Sequence, residues 1–198
     1  MIFGISKKQR ISKGLLEINE HPDLLKSFTA LQNEIGVGFD MKTLAVTSVH
    51  SDTLAASFAK AFADTFANNG SSALIIDANL YDPCLSKSLN LPQEQEPKVH
   101  ALSEKVGILS LSSEIYPSRI LREGEIAKII EENRGGYDHV VILVPALREH
   151  KEVALLGSVI DSLVLVTQRN VTQKKDIYEA CCFLAENKLP LAKVVVLK

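Results

Sequence analysis

The sequence lacks the features that would place it in several large classes of protein. It has only three cysteines, Cys84, Cys181 and Cys182, an odd number without the spacing of a metal site. This predicts buried free thiols in a reducing compartment and no metal centre. The net charge is −2, and the chain therefore lacks the excess of positive charge that binds nucleic acid. We expect no nucleic-acid partner. No apolar run approaches the ~20 residues that span a bilayer, and no stretch has the composition of a secretory signal.

The length and hydrophobic content of the chain predict one folded domain. The chain has 198 residues, 46% of them hydrophobic, with no internal repeat and no shift in composition. Residues 1–20 form a predicted basic tail, and residues 21–198 a single domain. A basic head of this kind can lie near an anionic membrane surface. Its cations are Lys7, Lys8, Arg10 and Lys13.

Strand and helix patterns alternate along the domain. Short apolar or β-branched runs predict strands at 42–47, 73–77, 106–111, 139–144, 162–167 and 193–197. Apolar residues at helical spacing, with capping residues and Gly or Pro stops, predict helices at 22–35, 52–68, 83–89, 118–133 and 151–157. They also predict a last long helix that is capped by residues 170–172 and runs to about residue 187. Residues 91–105 are rich in Pro, Gln and Glu, which predicts a surface loop.

This alternation predicts parallel strands joined by right-handed crossovers. The fold class is therefore α/β, with a single doubly wound, mostly parallel sheet flanked by helices in a Rossmann-like three-layer arrangement. In open sheets of this kind ligands bind at the carboxyl ends of the strands. We therefore expect the functional residues in the turns that follow the strands.

The first of these turns has the setting of a phosphate-binding loop. Residues 44–63 read as a β-branched strand, a polar turn and an alanine-rich helix capped by Ser51 or Asp52. A phosphate loop needs glycines, whose backbone N–H groups close around phosphate, and a lysine for charge. Between Thr47 and Ala55 there is neither. Asp52 also places a carboxylate where a helix start would otherwise favour phosphate.

Four segments carry a resemblance to a known family: residues 44–63, 74–83, 137–145 and 161–176. Together they resemble the cytoplasmic domain of bacterial tyrosine kinases, the capsule and exopolysaccharide regulators of the P-loop class. Residues 44–63 resemble the strand and helix that flank the first phosphate motif. Residues 74–83 resemble the second acidic motif, and residues 137–145 resemble the Walker B strand. Residues 161–176 resemble the strand and helix beside the nucleotide base. The resemblance covers nearly the whole chain and implies a P-loop NTPase-like fold.

The sequence departs from this family at the positions that carry its chemistry. Leu143 stands where the Walker B aspartate orders Mg²⁺, and leucine cannot bind a hard cation. The second acidic motif keeps Asp77 but has Asn79 for its other aspartate and Tyr81 for its arginine. Asp77 is open to two interpretations, a cap of the following turn or a metal or base role. The turn after the first strand is also about four residues shorter than the family's.

These departures predict a pseudokinase-like protein with no catalytic residue, no metal and no cofactor. It would act as a regulatory or interaction module in capsular or exopolysaccharide biosynthesis. The vestigial nucleotide site would comprise Ser48, His50, Ser51, Asp52, Thr53, Asp77, Asn79, Tyr81, Leu143 and Pro145.

The resemblance also implies partners and a location. The partner would be a membrane polysaccharide chain-length regulator or an active kinase paralogue, and the location cytoplasmic, with peripheral contact at the inner face of the cell membrane. Homo-oligomerisation stays open, since Lys26, Thr29 and Gln32 replace the family's E-x-x-R-x-x-R ring pattern.

Three alternatives to a non-catalytic regulatory role remain open from the sequence. The first is a divergent ATP-dependent tyrosine kinase or ATPase that uses ATP and Mg²⁺ in a non-standard phosphate loop, with Lys42 or a partner's lysine. The second is a partition-type positioning protein. The third is a polar hollow at the strand ends, lined by Ser48, Asp77, Asn79 and Ser112, that binds another ligand. A dinucleotide oxidoreductase is excluded, because no G-x-G-x-x-G follows the first strand.

Overall fold

A computed structural model of the chain describes residues 2–3, 15, 22–36, 42–92, 97–111 and 124–197. Its strands are β1 (Ile2–Phe3), β2 (Thr43–Ser48), β3 (Ala73–Asp77), β4 (Lys98–Ala101), β5 (Val106–Ser110), β6 (His139–Leu143), β7 (Ser162–Gln168) and β8 (Leu191–Leu197). Its helices are α1 (Pro22–Glu34), α2 (Asp52–Asn68), α3 (Cys84–Ser88), α4 (Glu125–Arg134) and α5 (Lys174–Glu186), with a 3₁₀ helix at Glu152–Leu156.

These strands form one sheet of eight in the order β1-β8-β7-β2-β6-β3-β5-β4. Every pairing is parallel except that of β4 with β5, which is antiparallel. The predicted fold class is thereby confirmed, since helices cover both faces of a mostly parallel sheet in three layers.

Alternation along the central strands produces the two cores. On β2, Leu44 and Val46 belong to the core that faces α1, α2 and α3. Ala45 lies between them and belongs to the opposite core, beneath α4 and α5. Successive side chains of a strand point to opposite faces, so a strand buried on both sides must be apolar throughout. All of β2 and β3 is buried in this way, which holds their carboxyl ends in fixed positions.

Several predicted elements agree closely with the structure. Helix α2 and strand β3 have the predicted bounds, and Asn69 and Gly70 follow α2 as expected. The predicted helix at 118–133 corresponds to α4 from Glu125 onward, and residues 118–123 lie outside the described residues.

Three elements differ from the prediction in part. Part of the predicted loop at 91–105 is β4, which forms because its backbone pairs with β5 although its side chains are mostly exposed. The predicted helix at 151–157 is present as the 3₁₀ helix Glu152–Leu156. The predicted cap of α5 at residues 170–172 was wrong, because Gln173 is the N-cap and makes no side-chain capping bond. The Thr172 hydroxyl instead accepts from the Gln168 amide at 3.0 Å.

Parts of the predicted N-terminal tail contact the domain. Ile2–Phe3 pairs with the end of β8, and Leu15 is buried in the core beside α1 and α2. The proposed boundary at residue 20 stays a prediction. The three cysteines are free but half-buried, not fully buried as predicted. None of the helices in the described ranges is both long and apolar enough to cross a membrane.

Candidate functional site

The predicted site residues lie at the carboxyl ends of three adjacent strands. Strand β6 lies between β2 and β3, with Leu143 paired to Val46 on one side and to Asp77 on the other. Parallel pairing therefore brings the turns after β2, β3 and β6 to one edge of the sheet, as the sequence predicted.

Serine side chains build the turn between β2 and α2. The Ser48 hydroxyl donates to the Ser51 carbonyl at 2.7 Å and accepts from the Ser51 amide at 2.9 Å. Ser51 is the N-cap of α2, and its hydroxyl accepts from the Leu54 amide at 3.2 Å. Thr53 lies exposed in the first turn of the helix. Of the two predicted caps, Ser51 is correct, and Asp52 is the first helical residue.

Backbone hydrogen bonds close this turn against the segment that follows β6. The Val144 amide donates to the Val46 carbonyl at 3.0 Å, and the Leu147 amide donates to the Ser48 carbonyl at 2.9 Å. The Arg148 amide then reaches the next carbonyl of the turn at 3.2 Å. These bonds continue the pairing of the two chain segments beyond the ends of β2 and β6.

Two side chains complete the closure. The Thr47 hydroxyl donates to the Pro145 carbonyl at 2.8 Å. The Asp52 carboxylate accepts from the Ala146 amide at 2.7 Å. The start of α2 is thus packed against Pro145 and Ala146. The hypothesis of an open polar hollow between these strand ends was therefore wrong for the described residues, and Ser112 lies outside them.

Asp77 is fully buried at the end of β3. One carboxylate oxygen accepts from the Ser86 amide at 3.0 Å and from the Ser86 hydroxyl at 2.7 Å. Within the described part of the chain, its other oxygen has no hydrogen-bond partner. Burial raises the pKa of Asp77 to about 6, although the bonds from Ser86 lower it. The carboxylate therefore anchors α3, which is the capping interpretation.

Asn79, Tyr81 and Leu143, the other predicted residues after β3 and at the end of β6, have uncharged side chains. The Asn79 side-chain oxygen accepts from the Asp82 amide at 3.2 Å, while its side-chain nitrogen has no partner among the described residues. Tyr81 stacks on His150 with ring centroids 4.0 Å apart. The Leu143 side chain is buried, and its carbonyl accepts from the Ala78 amide at 2.9 Å.

The electrostatics at this edge of the sheet oppose phosphate binding. Burial raises the pKa of the Cys84 thiol to about 12, and the nearby charges of Asp77, Asp52 and Asp82 raise it further. The same carboxylate of Asp52 contributes to the raised pKa of Asp77. The region is therefore electronegative, where a phosphate site needs positive potential.

The residues at this edge do not fit the phosphates of ATP with Mg²⁺. Nucleotide phosphates bind at a helix start because its amides are free and its dipole is positive there. Here Asp52 lies at that position, and no lysine lies in the turn. In the described ranges, no group of three His, Cys, Asp or Glu side chains is placed to hold a metal ion.

A cavity of about 260 Å³ lies beside the closed turn, and sequence reasoning missed most of its residues. Its lining residues come from the β2–α2 turn, the segment after β6 and helix α5: Val49, His50, Leu147, Arg148, Lys151, Lys175, Asp176, Glu179 and Ala180. His50 is the only member of the predicted site that lines it. Apart from its neighbour Val49, the others lie far from His50 along the chain, so no local motif could have identified them.

His50 connects two sides of this cavity. Its Nε2 atom lies 2.9 Å from the Asp176 carboxylate, and its Nδ1 atom lies 3.4 Å from Nη1 of Arg148. A guanidinium group can only donate, so Nδ1 accepts and Nε2–H donates to Asp176. The contacts place the imidazole between the Asp176 carboxylate and the guanidinium group and so orient the latter.

The family's ring-contact positions on α1 have different environments. Gln32 is buried, donating to the Phe62 carbonyl at 3.3 Å and accepting from Asn69 at 3.0 Å. Thr29 also accepts from Asn69, at 3.3 Å. Lys26 is exposed and lies 3.9 Å from Asp23. Two of the three positions thus contact α2 of the same chain.

Comparison with known proteins shows the fold but no closer kinship. No family model matches the chain, and a search of curated proteins found no match. The chimerical protein CapA2B2 is similar in structure, with a TM-score of 0.83 and 18% identity over 98% of this chain and 92% of that one.

Two solved tyrosine kinase domains are also similar. The kinase domain of Escherichia coli tyrosine kinase ETK has a TM-score of 0.78 and 14% identity over 98% of this chain and 85% of that one. The BceF tyrosine kinase domain has a TM-score of 0.72 and 17% identity over 91% of this chain and 80% of that one. At these identities the likeness concerns the fold alone.

Proposed function

We propose that this chain is a non-catalytic, degenerate relative of the bacterial tyrosine kinase domains. In this proposal it acts as a regulatory or interaction module in capsular or exopolysaccharide biosynthesis. The fold likeness to tyrosine kinase domains supports the relationship. The observation that carries the absence of catalysis is the Asp52 carboxylate, which lies at the start of α2 and accepts from the Ala146 amide at 2.7 Å.

This contact opposes ATP binding in two ways. An anion at the start of a helix is stabilised by roughly 0.3–1 kcal/mol at an exposed site, and Asp52 already has that position. An incoming phosphate would meet a second negative charge and would have to displace a charge-assisted hydrogen bond. With no lysine in the turn, nothing at this position compensates for the repulsion.

Calorimetric titration with ATP and Mg²⁺ tests the proposal. We expect no saturable binding in the micromolar range and no nucleotide turnover, with the kinase domain of E. coli tyrosine kinase ETK as a positive control. Asp52→Asn serves as a second variant, because it removes the repelling charge without supplying a lysine. Micromolar binding with turnover by the unaltered protein would contradict the proposal.

One observation favours the alternative of a divergent kinase. Asp77 is retained and has a pKa of about 6, within the range of a general base. Phosphotyrosine on a co-expressed partner that disappears in Asp77→Ala, but persists in Asp82→Ala, would establish this alternative. Against it stands the full burial of Asp77 and its two bonds from Ser86. A partition-type positioning protein needs the same missing lysine and is disfavoured for that reason.

The partners and location belong to the same proposal. We propose a membrane polysaccharide chain-length regulator or an active kinase paralogue as the partner, in the cytoplasm at the inner face of the membrane. A homo-oligomer built through α1 would need contacts other than the family's, since Thr29 and Gln32 contact Asn69 of their own chain.

A further inference from the structure

We propose that the cavity between the β2–α2 turn, residues 147–151 and α5 binds a small phosphate monoester, held by Arg148 and Lys151. This site lies beside the closed turn and does not use the start of α2. The proposal is independent of whether the protein is catalytic, because it concerns a different set of side chains.

The charges of the cavity leave two cations available. Its two carboxylates already have partners, because Asp176 lies 2.9 Å from His50 and Glu179 lies 3.6 Å from Lys175. No carboxylate of the described residues forms an ion pair with Arg148 or Lys151. Lys151 instead lies over the Phe183 ring, 4.5 Å from its centroid.

Arg148 is oriented for anion binding. One of its N–H groups is directed to His50 at 3.4 Å, and that contact leaves the others free to donate. The hydrogen bond from His50 to Asp176 holds the imidazole in place and so fixes the direction of the guanidinium group. A planar guanidinium can bind two oxygens of one phosphate, while a lysine ammonium supplies a point charge beside it.

Size and charge together restrict the ligand. Sites for drug-sized molecules usually have volumes of roughly 300–1,000 Å³, and this cavity has about 260 Å³. Without His50, the lining has three cations and two carboxylates, and only Arg148 and Lys151 have no carboxylate partner among the described residues. A nucleoside triphosphate exceeds both this volume and the charge of these two cations, whereas a single phosphate, with about −1.5 to −2 charges, is balanced by them. Val49, Leu147 and Ala180 are buried and form an apolar floor for that body.

NMR titration of the full-length protein tests the proposal. The probes are phenyl phosphate, glycerol 3-phosphate and inorganic phosphate, with phenol and benzoate as controls for the apolar body and for a carboxylate. We expect saturable binding of the phosphate esters, with amide shifts concentrated in residues 147–151 and 175–180. Shifts centred on Ser51 to Leu54 would place the phosphate at the start of α2 and overturn the assignment, as would equal binding of phenol.

Charge-removing variants provide the second readout. Arg148→Gln and Lys151→Gln should each weaken phenyl phosphate binding about tenfold or more, because each loses a charge-assisted hydrogen bond. The affinity of Arg148→Lys for phenyl phosphate should fall between those of the wild type and Arg148→Gln. Lysine keeps the positive charge but lacks the paired N–H donors of the guanidinium group. Lys128→Gln on α4, an exposed lysine paired with Glu132, is the matched control.

The same variants separate a real site from weak surface binding. Equal weakening in Lys128→Gln and Arg148→Gln would overturn the proposal, and thermal melting would confirm that each variant is folded. A phosphoserine peptide compared with glycerol 3-phosphate distinguishes the two sources of the phosphate. Tighter binding of the ester identifies a free metabolite, and tighter binding of the peptide identifies a phosphorylated protein; both support phosphate recognition here.

Discussion

At the scale of single residues, Asp77 couples stability to pH. Its pKa is about 6 in the folded protein against an ordinary value of 3.8. Below both values the carboxyl is protonated in the folded and unfolded states, and burial has no electrostatic cost. Between them the folded state keeps a proton that the unfolded chain has released, so stability falls as pH rises. Above pH 6 the loss of unfolding free energy caused by burying the charged carboxylate levels off at about 3 kcal/mol.

Asp77→Asn should therefore stabilise the protein at neutral pH. The asparagine oxygen can still accept from Ser86, while the charge is removed. We expect a gain of about 2–3 kcal/mol in unfolding free energy at pH 7, shrinking towards zero near pH 4. Urea unfolding of the variant and the wild type between pH 4 and pH 7.5 measures this difference in unfolding free energy.

Asp138→Asn is the control of opposite sign. Hydrogen bonds from Ser72 lower the pKa of Asp138, so its stabilising effect is present at neutral pH and lost on acidification. This variant should lose stability at pH 7, with the loss disappearing in acid. A destabilised Asp77→Asn at every pH would show that the bonds from Ser86 outweigh the burial of charge.

At the scale of elements, α2 depends on its first turn. Ser51 caps the helix by accepting from the Leu54 amide, and Thr53 is exposed two residues later. Ser51→Ala should cost about 1 kcal/mol of unfolding free energy, because a helix amide loses its acceptor. Thr53→Ala, the matched control, should change stability by less than about 0.5 kcal/mol. Equal losses in thermal or urea unfolding would mean that the cap contributes nothing specific.

Comparison of α2 with β4 shows which elements are predictable. The bounds of α2 follow from local signals, a capping Ser51 and a stop at Asn69 and Gly70. Strand β4 has no such signal, because its side chains are mostly exposed and do not alternate between buried and exposed positions. It exists through backbone pairing with β5, a contact that becomes visible only when the sheet is assembled.

The candidate site also has one part that local sequence predicts and one part that it does not. The turn from Ser48 to Asp52 was predictable because its residues are contiguous and its chemistry is local. The cavity was not, because His50 is separated from Arg148 by 98 residues and from Asp176 by 126. No periodicity or motif relates residues at such distances, and only the order of strands in the sheet brings them together.

At the scale of the whole molecule, an aromatic cluster packs α1 against α2. Phe28 is buried, and its ring centroid lies 5.1 Å from that of Phe58 and 6.2 Å from that of Phe62. Phe28→Ala should cost about 3–5 kcal/mol, through lost burial and the cavity left behind. Lys26→Ala on the exposed face of α1 should change stability by less than about 0.5 kcal/mol. Urea unfolding that gave similar small losses for both would show that α1 is not part of the cooperative core.

The closure of the β2–α2 turn limits what point substitutions could achieve at this position. Three of the bonds that close it join main-chain amides and carbonyls, those of Val144, Leu147 and Arg148 with the residues from Val46 to Val49. Such bonds persist whatever side chains the turn carries. Point substitutions that introduced glycine and lysine would leave them in place. We therefore expect that an open phosphate-binding loop at this position would require the insertion of residues, and that no single substitution would create one.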